Sequence, residues 1–560
     1  MNVKNDFVDC LHQAIGEHMD KSAIEGMIET PKFEEMGDLA FPCFGLAKAL
    51  RKSPQRIAEE IVSQLDASLF EKAEAVSGYV NVFLDQQNVS AIVLKQILSE
   101  KHHYGDSHLG SNQVITIDFS SPNIAKPFSM GHIRSTVIGN ALAHIAEKCG
   151  YKTIRINHLG DWGTQFGKLI VAYKKWGNEQ AVRNEPLKEL LELYVQFHEE
   201  AEKTPSLMDE ARVWFKRLEE ADEEALQLWK WFREESLKEF SKMYALMGVE
   251  FDSYDGEAFF NDKMERVVQI LREKNLLEES DGAQVVVLED LPPCLIKKRD
   301  GTTLYATRDL AAAIYRQETY HFAKSLYVVG NEQALHFKQL LKVLEKMGYK
   351  WQEGIKHVPF GMILKDGRKM STRKGRIVLL EDVLNDAYTL ALKEIQKKNP
   401  HLASKETVAR QVGTGAVIFH DLKNYRLNDI HFSLEDMLRF EGETGPYVQY
   451  TYARAASLLR KGGFTVNQEA VHMEDLEAWP VTKMLAAFPE VPIRAMEDCD
   501  SSLVAKYVIE LARAFNKYYA SVRILDDDEQ KQARLSLVFA VTVVLKEGLR
   551  LLGLEAPEEM

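Results

Sequence analysis

Residues 114–156 restrict the fold more than any other stretch of this chain. Val114 to Phe119 is a short apolar run of strand length. Pro122 and Pro127 then hold an extended loop, and a helix is expected to open near Gly131 and His132. Ile133, Val137, Ala141 and Ile145 recur every four residues on one face of that helix. Gly150 ends it, and a second apolar run, Thr153 to Ile156, follows. The unit reads strand, loop, helix, strand, with polar residues at the loop-to-helix junction. Unpaired backbone N–H groups at such a helix start favour a phosphate.

The same alternation continues along the chain. Ser325 to Val329 reads as a buried strand, followed by a helix with Phe337, Leu340, Leu341 and Leu344 on one face; His357 to Leu364 reads as a further strand. Alternation of this kind implies a parallel, Rossmann-like sheet with helices on both faces. The expected class is therefore multidomain α/β. Residues 1–108 form an α+β amino-terminal domain, with helices at Asp6–His18 and Pro54–Leu65 and a strand at Gly78–Leu84. Residues 109–386 form the sheet domain, interrupted at about 165–247 by a charged helical insertion. Residues 387–434 are a helical connection, and 435–560 an all-α domain that opens after the Glu443-Thr444-Gly445-Pro446 break.

Composition narrows the function class. No apolar run approaches the ~18 residues of a membrane span, so no membrane partner is expected. Cys10, Cys43, Cys149, Cys294 and Cys499 lack C-x-x-C spacing and read as thiols of a reducing cytoplasm, not as zinc ligands. The net charge of −14 confines any nucleic-acid contact to local basic surfaces.

The junction Ser129-Met130-Gly131-His132 resembles the H-I-G-H signature of class I aminoacyl-tRNA synthetases, with Ser129 in place of the first histidine. The preceding Ser120-Ser121-Pro122-Asn123-Ile124-Ala125-Lys126-Pro127 is similar to arginyl-tRNA synthetases. Asp366-Gly367-Arg368-Lys369-Met370-Ser371-Thr372 resembles the family's K-M-S-K-S loop, with Thr372 at the second lysine. The resemblance implies that Lys126, Ser129, His132, Lys369 and Ser371 are catalytic, with Lys126 standing in for the cation that Thr372 lacks. It implies ATP contacts at Gly131, His132, Gly330, Asn331, Gln333, His336, Gly361, Met362 and Lys369. Mg²⁺ would accompany ATP without a dedicated protein site, and no zinc is expected.

A free arginine presents a planar guanidinium with five donors, so a selective pocket needs carboxylates. Tyr305 and Asp309 are four apart on a helix expected from Thr307, downstream of the Asp300-Gly301 turn, and can face one pocket. Tyr254-Asp255-Gly256-Glu257 supplies a second carboxylate. By resemblance, Glu257, Tyr305 and Asp309 hold the guanidinium, with Asn123, His158 and Gln333 completing the arginine site. His158 lies in Asn157-His158-Leu159-Gly160-Asp161-Trp162-Gly163-Thr164-Gln165-Phe166-Gly167, a segment similar to arginyl enzymes.

The segment Glu443 to Arg454 resembles the start of the family's anticodon-binding domain. Arg513, Phe515, Asn516, Lys517, Tyr518, Tyr519 and Arg523 interleave bases with aromatics, which suits stacking on unpaired bases. The resemblance implies tRNA contacts at Tyr447, Arg454, Arg513, Asn516, Tyr519 and Met560, and makes residues 1–108 an additional domain that touches the outer corner of tRNA. It also implies an arginine–tRNA ligase acting on L-arginine, ATP and the tRNA for arginine, cytoplasmic and monomeric, in protein synthesis. Two other readings stand beside it. A cysteinyl enzyme would require a thiolate–zinc pocket, and no grouped Cys/His ligands exist. A non-catalytic RNA-binding relative would accommodate Ser129 and Thr372.

Overall fold

The structure, a computed structural model, describes residues 3–65, 70–299, 304–365, 368–369 and 378–560. Ser371, with Met370 and Thr372 of the expected phosphate loop, lies outside the described residues, as does the Asp300-Gly301 turn.

A four-stranded parallel sheet organises the centre. Its spatial order is Ile355–His357, Lys324–Tyr327, Val114–Asp118, Lys152–Ile156. The chain lays down Val114–Asp118 first and adds Lys152–Ile156 on one side. It then returns across to add Lys324–Tyr327 on the other. The order therefore reverses between Val114–Asp118 and Lys324–Tyr327, and ligands of open α/β sheets bind in the crevice at the carboxyl ends of such a pair. The crossover helix Met130–Lys148 buries Ile133, Val137, Ala141 and Ile145, the face its periodicity marked. Gly139 packs there against Phe119: an added Cβ would sit 2.2 Å from that ring.

The insertion is helical. Thr164–Trp176, Glu179–Asn184, Pro186–Lys203, Ser206–Glu219 and Glu223–Met247 succeed one another. The last is capped by Asp222 and ended by Gly248 in the left-handed region at φ 65°. The amino-terminal region is an antiparallel sheet ordered Leu39–Pro42, Tyr79–Leu84, Phe70–Val76, flanked by the helices Val3–Ile15, Pro54–Val62 and Gln86–Glu100. Long helices dominate from Leu380–Lys398 onward, including Lys405–Leu422, Gly445–Gly462, Ser502–Ser521 and Lys531–Leu551. Among the described residues no helix is long and apolar enough to cross a membrane.

Two sequence expectations change. The run expected as one strand from His357 to Leu364 divides into Ile355–His357 and Ile363–Lys365. Between them the backbone turns to other partners: Gly361 N–H donates to the Arg426 carbonyl, and Met362 N–H to Asp429. Ile363–Lys365 belongs to a second small sheet, paired with Arg368–Lys369 and Ile430–His431. The helix expected from Thr307 begins at Tyr305 and runs to Tyr320.

Candidate active site

The loop after Val114–Asp118 is held in an unusual backbone. Ser120, Ser121 and Ala125 have φ of 71°, 48° and 61°, left-handed values that side chains disfavour. Such conformations persist where the surroundings over-determine them. Here Ser120 N–H donates to Ser135 Oγ at 2.9 Å, and Ser120 Oγ lies 2.8 Å from Tyr244 Oη. Ala125 N–H donates to Ser236 Oγ at 3.2 Å. Tyr244 and Ser236 come from the last helix of the insertion, and Tyr244 also receives Asn157 Nδ2 at 2.9 Å. The insertion thus braces both loops that carry expected ligand residues. A parallel bridge between Asn123 and Gly160 ties those loops to each other.

At the helix start Ser129 and His132 form a capping box. Ser129 N–H donates to His132 Nδ1 at 3.1 Å. Nδ1 is thereby occupied as an acceptor, which assigns the ring proton to Nε2. Burial, helped by the Lys126 ammonium and opposed by the Ser129 hydrogen bond, brings the His132 pKa down to about 4. The imidazole is neutral near pH 7 and offers one N–H. Lys126 is itself exposed. The strand-like segment 378–380 pairs directly onto this junction: Met130 N–H donates to the Val378 carbonyl, and Leu380 N–H to the Phe128 carbonyl. Lys369 lies in Arg368–Lys369, opposite Leu364.

A small cavity of about 80 Å³ is lined by Gly131, Glu332, Phe360, Gly361 and Met362. It joins the signature helix to the strand ends at Gly330 and Phe360, since Asn331 N–H donates to the Phe360 carbonyl. Gly361 is obligatory there, because a Cβ would lie within 2.8 Å of Asn428, Asp429 and Leu427 oxygens. Asn331 and Gln333 form a short 3-10 turn and are exposed.

A carboxylate meets the start of the helix Ala334–Lys346, which follows this turn. Asp309 Oδ2 lies 2.6 Å from His336 Nε2, and Asp309 Oδ1 lies 4.0 Å from His158 Nε2. The Tyr305 ring centroid is 5.1 Å from that of His336, while Tyr305 itself is 59% exposed. Glu257 sits 3.8 Å from Arg308, which also donates to Asn261. Burial pushes the Glu257 carboxyl up to about 7; Arg308 opposes the rise, and Asp309 and Asp161 add to it. The structure thus brings Asp309, His158, His336 and Tyr305 together, with Glu257 within electrostatic reach. Burial also holds His158 below its usual value.

Sequence reading missed the frame behind these groups. Asp161 accepts from Ala258 N–H and from Arg233 Nε, both at 2.8 Å, and so fixes the backbone just after Glu257. Gly256 is required by this packing: a Cβ would sit 2.6 Å from both Asp161 oxygens. Arg316 and Asp118 form a buried pair at 2.8 Å, and Arg316 reaches His158 Nδ1 at 3.4 Å. An acid at a strand end and an arginine on a helix are the available signals, but nothing local joins them.

A larger cavity, about 390 Å³, lies far along the chain, bordered by Asn399, Tyr450, Arg454, Tyr519 and Met560. The Arg454 guanidinium is 5.0 Å from each of the Tyr450 and Tyr519 rings. Asn516 bonds Arg454, Tyr447 Oη and Thr451 Oγ1. Arg513 is exposed and pairs with Glu443 at 3.1 Å. Phe515 and Tyr518, included in the basic–aromatic set, are buried in the helical core and face no solvent.

Residues 93–434 match the family model for the catalytic domain of class I (R) tRNA synthetases. Residues 448–560 match the DALR anticodon binding domain, and 1–84 the arginyl tRNA synthetase N terminal domain. The arginine–tRNA ligase of Enterococcus faecalis is 60% identical over 563 residues, covering 100% of both chains. That of an Exiguobacterium species is 61% identical, again over 100% of both. Among solved structures, the arginyl-tRNA synthetase of Thermus thermophilus superposes with a TM-score of 0.82 at 25% identity, covering 100% of each chain. A chain with this sheet, this capped signature helix and these full-length relatives belongs to the arginine–tRNA ligases, the arginyl-tRNA synthetases of class I.

Proposed function

We propose that the ligase reaction runs in the crevice at the carboxyl edge of the parallel sheet, with the following assignment of roles. Asp309 and Glu257 receive the guanidinium of L-arginine, and Tyr305 adds its hydroxyl. Asn123 and His158 face the amino-acid backbone, and Gln333 borders both substrates. Gly330, Asn331, His336, Gly361 and Met362 flank the adenosine of ATP, while Gly131 and the Nε2–H of His132 meet the phosphates. Ser129 acts by fixing His132 through the capping box. Lys126, Lys369 and Ser371 supply charge and hydrogen bonds around the pyrophosphate. Mg²⁺ enters with ATP as the nucleotide's own counter-ion, and no residue is assigned to it.

In the first step an arginine carboxylate oxygen attacks the α-phosphorus. The bond to the bridging oxygen breaks, and pyrophosphate leaves from arginyl-adenylate. In the second, a hydroxyl of the tRNA 3′-terminal ribose attacks the adenylate carbonyl, loses its proton and expels AMP. Neither step needs a covalent enzyme intermediate. The chain's contribution is positioning and charge stabilisation.

The observation that carries this assignment is the Asp309 carboxylate held between His336 and His158 at 2.6 Å and 4.0 Å. It joins the expected arginine pocket to the helix that follows the nucleotide loop. Asp309→Ala is the test. Losing a charge-assisted partner of guanidinium costs roughly 2–5 kcal/mol in kcat/KM for arginine, with the KM for ATP unchanged. Normal arginine kinetics in that variant would remove Asp309 from the pocket.

On the RNA side, Tyr447, Arg454, Arg513, Tyr519 and Met560 are proposed to contact tRNA, with Asn516 holding Arg454 and Tyr447 in place. Adenylate formation is proposed to require the cognate tRNA. Support comes from segment 378–380, which pairs with the signature junction and leads directly into Leu380–Lys398 and the RNA-side helices. Pyrophosphate exchange that is equally fast with and without tRNA would defeat this. Among the described residues no disulfide joins Cys10, Cys43, Cys149, Cys294 or Cys499, which supports a reducing cytoplasm, and a monomer is proposed.

A further inference from the structure

The helix that starts at the signature is gripped along its whole length by other parts of the molecule. Near its start Arg134, 1% exposed, pairs with Asp421 at 3.1 Å and donates to the Asn428 carbonyl at 2.8 Å. In its middle Asn140 abuts Gly553 of the carboxyl-terminal tail, whose φ is 75° and whose added Cβ would lie 2.9 Å from Asn140 Nδ2. At its end stands Lys148, 4% exposed. Its ammonium is 2.5 Å from Asp106, 3.2 Å from Glu547 and 2.8 Å from the His102 carbonyl. An ammonium has three donors, and three acceptors surround this one. His102 and Asp106 follow the last helix of the amino-terminal region, while Glu547 belongs to Lys531–Leu551 of the anticodon-side region. These two regions also touch each other: Asp38 accepts from Trp479 and Lys483, and Tyr104 Oη donates to the Leu485 carbonyl.

A buried ion pair is a poor device for stability alone, since desolvation of both charges offsets most of their attraction. Such pairs specify a geometry better than they strengthen one. Burial works against the Glu547 charge, yet Arg550 and Lys148 outweigh it and hold its pKa below the usual carboxylate value. Apolar packing alone would tolerate sliding between the three regions, whereas a saturated ammonium fixes one register. The helix is rigid and about 28 Å long. A displacement of either region at Lys148 would be carried along it towards Ser129 and His132 at the opposite end.

We propose that Lys148 is a positioning residue for the ligase reaction, registering the amino-terminal and anticodon-side regions on the helix that carries the signature, so that tRNA seated on the anticodon-side region sets the signature's geometry. This rests on the RNA-side reading given above.

The test is Lys148→Met in the full-length chain, with tRNA charging measured at saturating ATP and arginine and the melting transition recorded alongside. The expected result is a kcat about tenfold lower, with the KM for ATP and for arginine within about twofold of normal. Lys148→Arg, which keeps charge and donors, is expected to recover most of that kcat. A Lys148→Met protein that melts normally and keeps its kcat overturns the inference. So does a loss confined to the KM for tRNA, or a lowered melting temperature with unchanged turnover per folded molecule. Should Lys148→Met fail to fold, Glu547→Gln removes one charge at nearly constant shape. Its kcat is expected to fall about threefold, and an unchanged kcat overturns the inference. Arg454→Ala separates this from the reading beneath it. If that variant leaves the KM for tRNA untouched, the RNA-side reading fails. If it raises the KM while Lys148→Met stays normal in kcat, only the Lys148 inference fails.

Discussion

In the proposed assignment, the crevice at the sheet edge and the cavity beside Arg454 meet opposite recognition problems. In the crevice the polar groups are pre-set by buried bonds: Arg316 on Asp118, the Ser129–His132 box, and Asp161 behind Glu257. Near Arg454 the groups are open. A guanidinium lies between two tyrosine rings over a cavity of about 390 Å³, and a single Asn516 steadies it. A small charged substrate demands pre-organisation, because a few contacts must carry all the discrimination. A large polyanion distributes its binding over many shallow contacts, most of which can be lost singly at little cost. The proposed nucleotide slot is the smaller opening: the one beside Gly131 is about 80 Å³.

If this contrast holds, the largest effect belongs to Lys126 in the crevice. Lys126→Ala is expected to slow adenylate formation by about 10²–10³ without changing tRNA binding. A rapid-quench assay of the activation step reads it, and near-normal activation would mean the phosphates have enough cations without it. Next is Gly256→Ala. A Cβ there meets the Asp161 carboxylate at 2.6 Å, so Glu257 must move. The expected loss is about 10²-fold in kcat/KM for arginine, because ångström-scale misplacement is that costly. Unaltered arginine kinetics would show that Glu257 does not touch the substrate.

The pH profile gives a smaller effect. Glu257 in the free protein is raised to about 7 by burial, so it is mostly protonated at pH 6 and mostly ionised at pH 8. Only the ionised form pairs with guanidinium. The kcat/KM for arginine should therefore rise about tenfold between those values. Glu257→Gln should flatten that limb, and a profile that stays unchanged in the variant would assign the titration to another group. The smallest effect lies on the RNA side. Arg454→Ala is expected to raise the KM for tRNA about fivefold, with a shallower salt dependence, and to leave the arginine KM alone. A change in arginine KM would erase the contrast between the two regions.

What the sequence displayed follows the range of each interaction. The parallel sheet and the crossover helix were legible because period and turn signals act within about ten residues, as at Ile133, Val137 and Ala141. The RNA-side helices were legible for the same reason. The antiparallel unit Glu278–Ser280, Ala283–Val286 and Cys294–Lys297 was not, since its strands are too short to show alternation. The break after His357 was hidden because hydrogen bonds from Gly361 and Met362 to Arg426 and Asp429, some 65 residues downstream, cause it. At the crevice, residues inside motif-like runs could be named in advance. The braces could not: Tyr244 on Ser120 and Asn157, and Arg316 on Asp118, are tertiary contacts of ordinary residue types. Phe515 and Tyr518 show the converse, an RNA-like spacing consumed by core packing.

The proposed arginine pocket is tested most directly by pyrophosphate exchange by the unaltered chain with ATP and cognate tRNA, comparing arginine with citrulline, its neutral near-isostere. Exchange is expected to depend on arginine and to be absent with citrulline, because in the proposed pocket two carboxylates receive a positive charge. No exchange with arginine, or equal exchange with both, would contradict it.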